Sequence, residues 1–254
     1  MLHQATSFFG LPLQTRDNEE MGTVHDFYFD RQDWIVRYLV ADIGSWLFGR
    51  KVLIATSALG TPDWEAKTLP VTLTKAEVKE SPETDLSLPV TRQHERALIG
   101  YYKWPTYWAE PFLTTASGVA PLAAPLSTGG KQLPAEVVEG LQNSEESHIY
   151  SMRDIQGYDL EALDGSIGQV RDFVVDSPGW AIRYLAIDTG NWLPGRTVLI
   201  SPRWVERIEW DDARLYLNVR KEVVANSPEQ PSDLRWDRSF EHELHRHYGY
   251  PEYW

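Results

Sequence analysis

The chain has no cysteine. Disulfide staples, thiolate metal ligands and a cysteine nucleophile are therefore excluded, and the composition suits a reducing cytoplasm. Positive charge is also scarce: 24 lysines and arginines stand against 37 aspartates and glutamates, a formal net charge of −13. Such a surface repels phosphate backbones, which counts against nucleic-acid binding. The N-terminal stretch lacks a basic start followed by an apolar core, so no secretory leader is expected there. Long apolar runs are missing too. The uncharged stretch Pro111–Gly130 has the length of a membrane helix, but its prolines, glycines and few large aliphatics mark a linker, so membrane insertion is not expected. No Walker loop, Gly-x-Ser-x-Gly elbow or dinucleotide fingerprint occurs, and "GSIG" at Gly165–Gly168 lies between strands rather than before a helix.

What the chain does have is a long internal repeat. "RYLVADIGSWLFGRKVLI", from Arg37, returns as "RYLAIDTGNWLPGRTVLI", from Arg183. Sliding the sequence by 146 positions aligns Gly22–Trp108 with Gly168–Trp254 without a gap, and 18 of the 35 positions in Gly22–Thr56 are identical. "SPE" recurs at Ser81 and Ser227, and "YKWPTYW" ends one copy where "YGYPEYW" ends the other. Two copies at this spacing are a duplicated domain, not a solenoid. The organisation expected is 1–108 for the first copy, 109–148 for a Pro/Ala/Ser/Gly-rich linker with a short helix near Pro134–Gln142, and 149–254 for the second.

Each copy reads as β-rich. In the second, "DLEAL" and "QVRDFVVD" alternate, "SPG" turns into "WAIRYLAID", "TVLIS" is short and apolar, and "RIEW" and "RLYLNV" flank the turn "DDA". The fold class is mainly β: two small barrels of about six strands each, with short C-terminal helices and aromatic tails. Asp237 or Ser239 is expected to cap the second helix and Gly249 to stop it, with Thr91 and Gly100 in those parts in the first. Both faces of Trp180–Asp188 are apolar, so a second layer must cover the face a lone barrel leaves open.

The run "DGSIGQVRDFVVD…WAIRYLAIDTGNWLPGRTVLISP", Asp164–Pro202, resembles the PRC-barrel domain, found in the photosynthetic reaction-centre H subunit and a bacterial ribosome-maturation factor. The tandem with terminal "YGYPEYW" is similar to bacterial proteins built from two PRC barrels. The first copy departs at "DNEEMG", Asp17–Gly22, and at Phe48, where the second has Pro194. The resemblance implies an interaction module and carries no shared catalytic residues.

Several residues could carry chemistry. His242 and His245 sit one turn apart and could share a metal ion, but the spacing is not HExxH, and the first copy has Arg96 and Ile99 instead. Asp42 and Asp188 recur before a Gly-x-Trp loop with Arg50 and Arg196 after it. An acid–base pair can be drawn from them, but recurrence favours a structural role, with aspartate holding turn amides and arginine pairing with it or stacking on tryptophan. Tyr102, Trp104, Tyr107 and Trp108, and Tyr248, Tyr250, Tyr253 and Trp254, gather rings of the kind that dominate both interfaces and cores. The expected function is a non-enzymatic, cytoplasmic assembly module without cofactor, binding itself and an unidentified protein. The alternatives are an RNA- or ribosome-linked adaptor, by family analogy, and a small-ligand carrier or enzyme using the groove between the barrels.

Overall fold

A computed structural model of the chain describes residues 1–44, 50–82, 90–108, 149–177, 179–229 and 238–254. The linker expected over 109–148, its short helix and the stretch Pro111–Gly130 lie outside the described residues. Met1–Pro89 and His148–Trp254 form one compact unit and Val90–Ser147 a second.

The fold is mainly β. Copy one supplies β1 (Leu2–Gln4), β2 (Pro12–Gln14), β3 (Glu20–Asp30), β4 (Ile35–Asp42), β5 (Lys51–Ala55) and β6 (Leu69–Pro70), with the short helix α1 (Lys75–Lys79). The second unit contributes helix α2 (Arg92–Tyr102). Copy two supplies β7 (Ile149–Ser151), the single turn α3 (Met152–Ile155), β8 (Asp159–Ala162), β9 (Gly165–Asp176), β10 (Ala181–Asp188), β11 (Thr197–Ile200), β12 (Val205–Glu209), β13 (Arg214–Leu217), α4 (Lys221–Ala225) and α5 (Arg238–Tyr248).

The thirteen strands belong to one sheet that is not closed into a single barrel. Its backbone runs β12-β13-β8-β9-β10-β4-β3-β2-β6, with β1 on β9, β11 on β10, β5 on β4 and β7 on β3. The copies meet where β4 and β10 pair at Ile35 and Ala181, which occupy equivalent positions in the repeat. Two further bonds are reciprocal: the Val36 amide donates to Trp180 O (2.9 Å) and the Ile182 amide to Trp34 O (2.8 Å). This is the pattern of a pseudo-two-fold axis.

The copies also exchange strands. β1 of copy one pairs with β9 of copy two at Leu2↔Asp176, and β7 of copy two pairs with β3 of copy one at Asp30↔Ile149. Each exchanged strand is locked by the same buried aspartate of the other copy. Asp26 accepts from the Ser151 hydroxyl (2.5 Å) and the Arg153 amide (3.4 Å). Asp172, its repeat equivalent, accepts from the Thr6 amide (3.2 Å) and the Thr6 hydroxyl. Aromatic packing crosses the same boundary: Phe8 and Phe27 lie against Trp180, and Phe29 against Phe173.

Identity between the copies concentrates where the backbone demands it. Gly22 and Gly168 hold φ of +146° and +150°, and a Cβ on either would stand within 2.2 Å and 2.1 Å of the carbonyl oxygens of Asp42 and Asp188. Only glycine fits there. Both faces of β10 are buried, as the apolar alternation requires.

The helix ends differ from expectation at one point. Thr91 caps α2, accepting from the His94 amide (3.3 Å), and Gly249 follows α5 at φ +71°. Gly100, however, lies inside α2, which runs on to Tyr102 and ends at Lys103 with φ +58°. Lys103 is the position that aligns with Gly249. Of the caps proposed for α5, Asp237 lies outside the described residues and Ser239 falls within the helix.

Candidate functional site

Helix α5 turns Glu241, Leu244, His245 and Tyr248 inward, the i, i+3, i+4, i+7 face of an amphipathic helix. Three of the four are ionisable, and β10 answers two of them, Glu241 and His245, with Tyr184, which is fully buried. The Tyr184 hydroxyl lies 3.0 Å from Glu241 Oε1 and 3.1 Å from His245 Nε2. Burial, chiefly, raises its pKa well above the usual phenol range, so it stays protonated.

After Gly249 the chain doubles back. The Tyr250 amide bonds His245 O (3.1 Å), and the Pro251 carbonyl comes within 2.9 Å of His245 Nδ1, which makes Nδ1 the donor. Burial pulls the His245 pKa below its ordinary value, with the Pro251 contact opposing. The Tyr253 hydroxyl donates to Glu241, whose second oxygen takes Arg238 at 3.0 Å. Tyr250 stacks on Trp204 and Tyr248 packs beside it. Three of the four copy-two tail rings are thus packed within the chain. Trp254 stays 50% exposed, with the Arg238 guanidinium 4.4 Å from its ring centroid.

The copy-one tail repeats this arrangement within its own unit. Arg92 pairs with Glu95 (2.9 Å), the Tyr107 hydroxyl donates to Glu95, and Arg92 lies 4.2 Å from the Trp108 ring centroid. Tyr102 stacks on Trp104 at 4.2 Å.

The two histidines weighed as metal ligands are not brought to one point. Both ring nitrogens of His245 are engaged, while His242 Nδ1 pairs with the Glu252 carboxylate. Among the described residues no group of three or more histidine, aspartate or glutamate side chains is arranged to hold a metal.

Asp42 and Asp188 do hold turn amides, those of Gly44 and Gly190, each at 2.9 Å. Their arginines do something else. Arg50 Nη2 donates to the carbonyls of Ser81 and Pro82, both at 2.8 Å, and Arg196 donates to those of Ala225 and Ser227, both at 2.6 Å. Each guanidinium thus holds backbone oxygens at or just after the end of a short helix, and the expected pairing with aspartate gives way. The serine that recurs in "SPE" is part of this: Ser81 and Ser227 each give their carbonyl to the arginine of their own copy.

One cavity, of about 350 Å³, opens beside the meeting point of the copies. Gln32, Asp33 and Trp34 come from the β3–β4 turn, Arg183 from β10, Ser201 and Arg203 from the turn after β11, and Tyr253 from the tail. The recurrent Trp, Arg and Tyr of this wall are visible in the repeat. Its other polar members are not, because they differ between the copies.

Two short β domains of one ancestry, joined edge to edge with their first strands exchanged, define the class of protein. The chain belongs to the PRC-barrel family: the family model for the PRC-barrel domain matches residues 2–72 and again 148–224. A search of curated proteins found no match. Among the described residues no helix is long and apolar enough to cross a membrane.

Proposed function

We propose that this tandem PRC-barrel protein is a non-enzymatic interaction module of the cytoplasm, which assembles with copies of itself and with a further protein through the aromatic tail of its second copy. The supporting observation is Trp254. It is a large ring, half exposed, held at the surface by Arg238 and by edge contact with Tyr253. A ring already fixed in place loses little conformational freedom on docking, and tryptophan and arginine are both enriched among interface hot spots. The RNA-linked alternative draws on family analogy alone and meets a net charge of −13.

Sedimentation equilibrium of the full chain and of Trp254→Ala tests the reading. The wild type is expected to self-associate and the variant to shift toward monomer at the same concentration. A wild type that stays monomeric up to its solubility limit would overturn it.

A further inference from the structure

Duplication supplies an internal comparison. A residue kept in both copies answers to the shared scaffold, whereas a residue found in one answers to something that copy alone does. The cavity wall contains both kinds. Trp34, Arg183 and Tyr253 have identical counterparts in Trp180, Arg37 and Tyr107. Gln32, Asp33, Ser201 and Arg203 do not: the other copy has Pro178, Gly179, Ala55 and Ser57. Polar and charged groups have thus gathered at one of two equivalent positions.

Two of these groups lack partners. Ser201 is 4% exposed as a residue and lines the cavity, and its hydroxyl makes no hydrogen bond among the described residues. The oxygen is not among the sealed, unpartnered polar atoms, so it opens to the cavity and can bond an occupant. Arg203 is exposed and enters no ion pair among the described residues. The other charged residues of the wall are already paired: Asp33 with Arg37 (2.9 Å) and Arg183 with Asp176 (3.0 Å). The cavity therefore offers one unneutralised cation on an otherwise acidic protein, with two aromatic rings in the same wall. Its size falls within the range of roughly 300–1,000 Å³ found for small-molecule sites.

We propose that this cavity binds a small organic carboxylate with a flat apolar body, its carboxylate taken by Arg203 and the Ser201 hydroxyl and its body by Trp34 and Tyr253. Guanidinium favours carboxylate because charge and hydrogen bonding act together, and the rings supply apolar contact. The proposal does not rest on self-association, since Trp254 does not line the cavity, although its neighbour Tyr253 does.

The test is calorimetric titration of the full chain with benzoate, and with benzyl alcohol as its uncharged counterpart. Benzoate is expected to saturate at one per chain and to bind about tenfold or more tightly than the alcohol. Arg203→Ala and Ser201→Ala should each weaken benzoate while leaving the melting temperature near that of wild type, because Arg203 is exposed and alanine is the residue copy one already carries. Arg207→Ala, which removes an arginine outside the cavity wall, should leave benzoate binding unchanged. No saturable benzoate binding, equal affinity for benzoate and benzyl alcohol, or an equal loss in Arg207→Ala would each overturn the proposal.

Discussion

Asp26 is 4% exposed and accepts hydrogen bonds from the Phe27 amide, the Ser151 hydroxyl and the Arg153 amide. Burial outweighs those bonds and lifts its pKa from 3.8 to about 6. Asp172 is raised by the same cause. Between the two values the folded chain holds a proton that the unfolded chain has released. The stabilisation from Asp26 is therefore complete below its unfolded pKa, declines as pH rises through about 6, and stays lost above. A shift of roughly two units corresponds to about 3 kcal/mol. Asp26→Asn cannot ionise, keeps an oxygen for the two amides and offers an N–H to the Ser151 hydroxyl. Relative to wild type, the variant should gain about 2–3 kcal/mol in urea denaturation between about pH 4 and about pH 7. A constant offset across that window would mean that burial does not govern this carboxylate.

At the scale of elements, α5 and its tail are held by a carboxylate facing inward. Glu241 is 2% exposed and takes the Tyr184 hydroxyl, the Tyr253 hydroxyl and Arg238. Glu241→Gln keeps the shape but puts an N–H where an acceptor stood, leaving one of those donors unpaired. The expected loss is about 2 kcal/mol of stability, together with faster hydrogen exchange at the Tyr250 amide, which bonds His245 O, as the clasp loosens. Unchanged exchange would mean that apolar packing alone holds the tail. The helix itself was legible in the sequence, because its spacing and Gly249 follow general rules. The inward turn of Glu241 was not. A glutamate read by type belongs in water, and its burial is made tolerable by Tyr184, 57 residues away along the chain, together with Tyr253 and Arg238. Arg50 and "SPE" show the same limit: each recurrence is visible alone, and the hydrogen bond joining them exists only once α1 has brought Ser81 back to β5. The polar cavity residues escaped for the opposite reason. A search for recurrence passes over positions at which the copies differ.

For the whole molecule, the duplication was written in the identities, whereas the exchange of strands was not. Leu2–Gln4 and Ile149–Ser151 are three residues each, too short for a periodic signal, and their partners are chosen across the other copy. This exchange has an energetic consequence. Neither copy can complete its sheet without the other's first strand, and the core is shared through Phe8, Trp180, Phe29 and Phe173. The two copies should therefore unfold as one cooperative unit, despite a sequence that divides into two. With 5-fluorotryptophan incorporated, the resonances of Trp64 in copy one and Trp210 in copy two are expected to lose native intensity at the same denaturant concentration. Phe27→Ala removes a fully buried ring from copy one and should cost about 3–5 kcal/mol. Because the loss falls on the shared structure, both resonances should shift together. A Trp210 midpoint that stays in place while that of Trp64 falls would show two barrels that are joined but fold separately, and the exchanged strands would then be a contact between finished domains rather than part of each domain's folding.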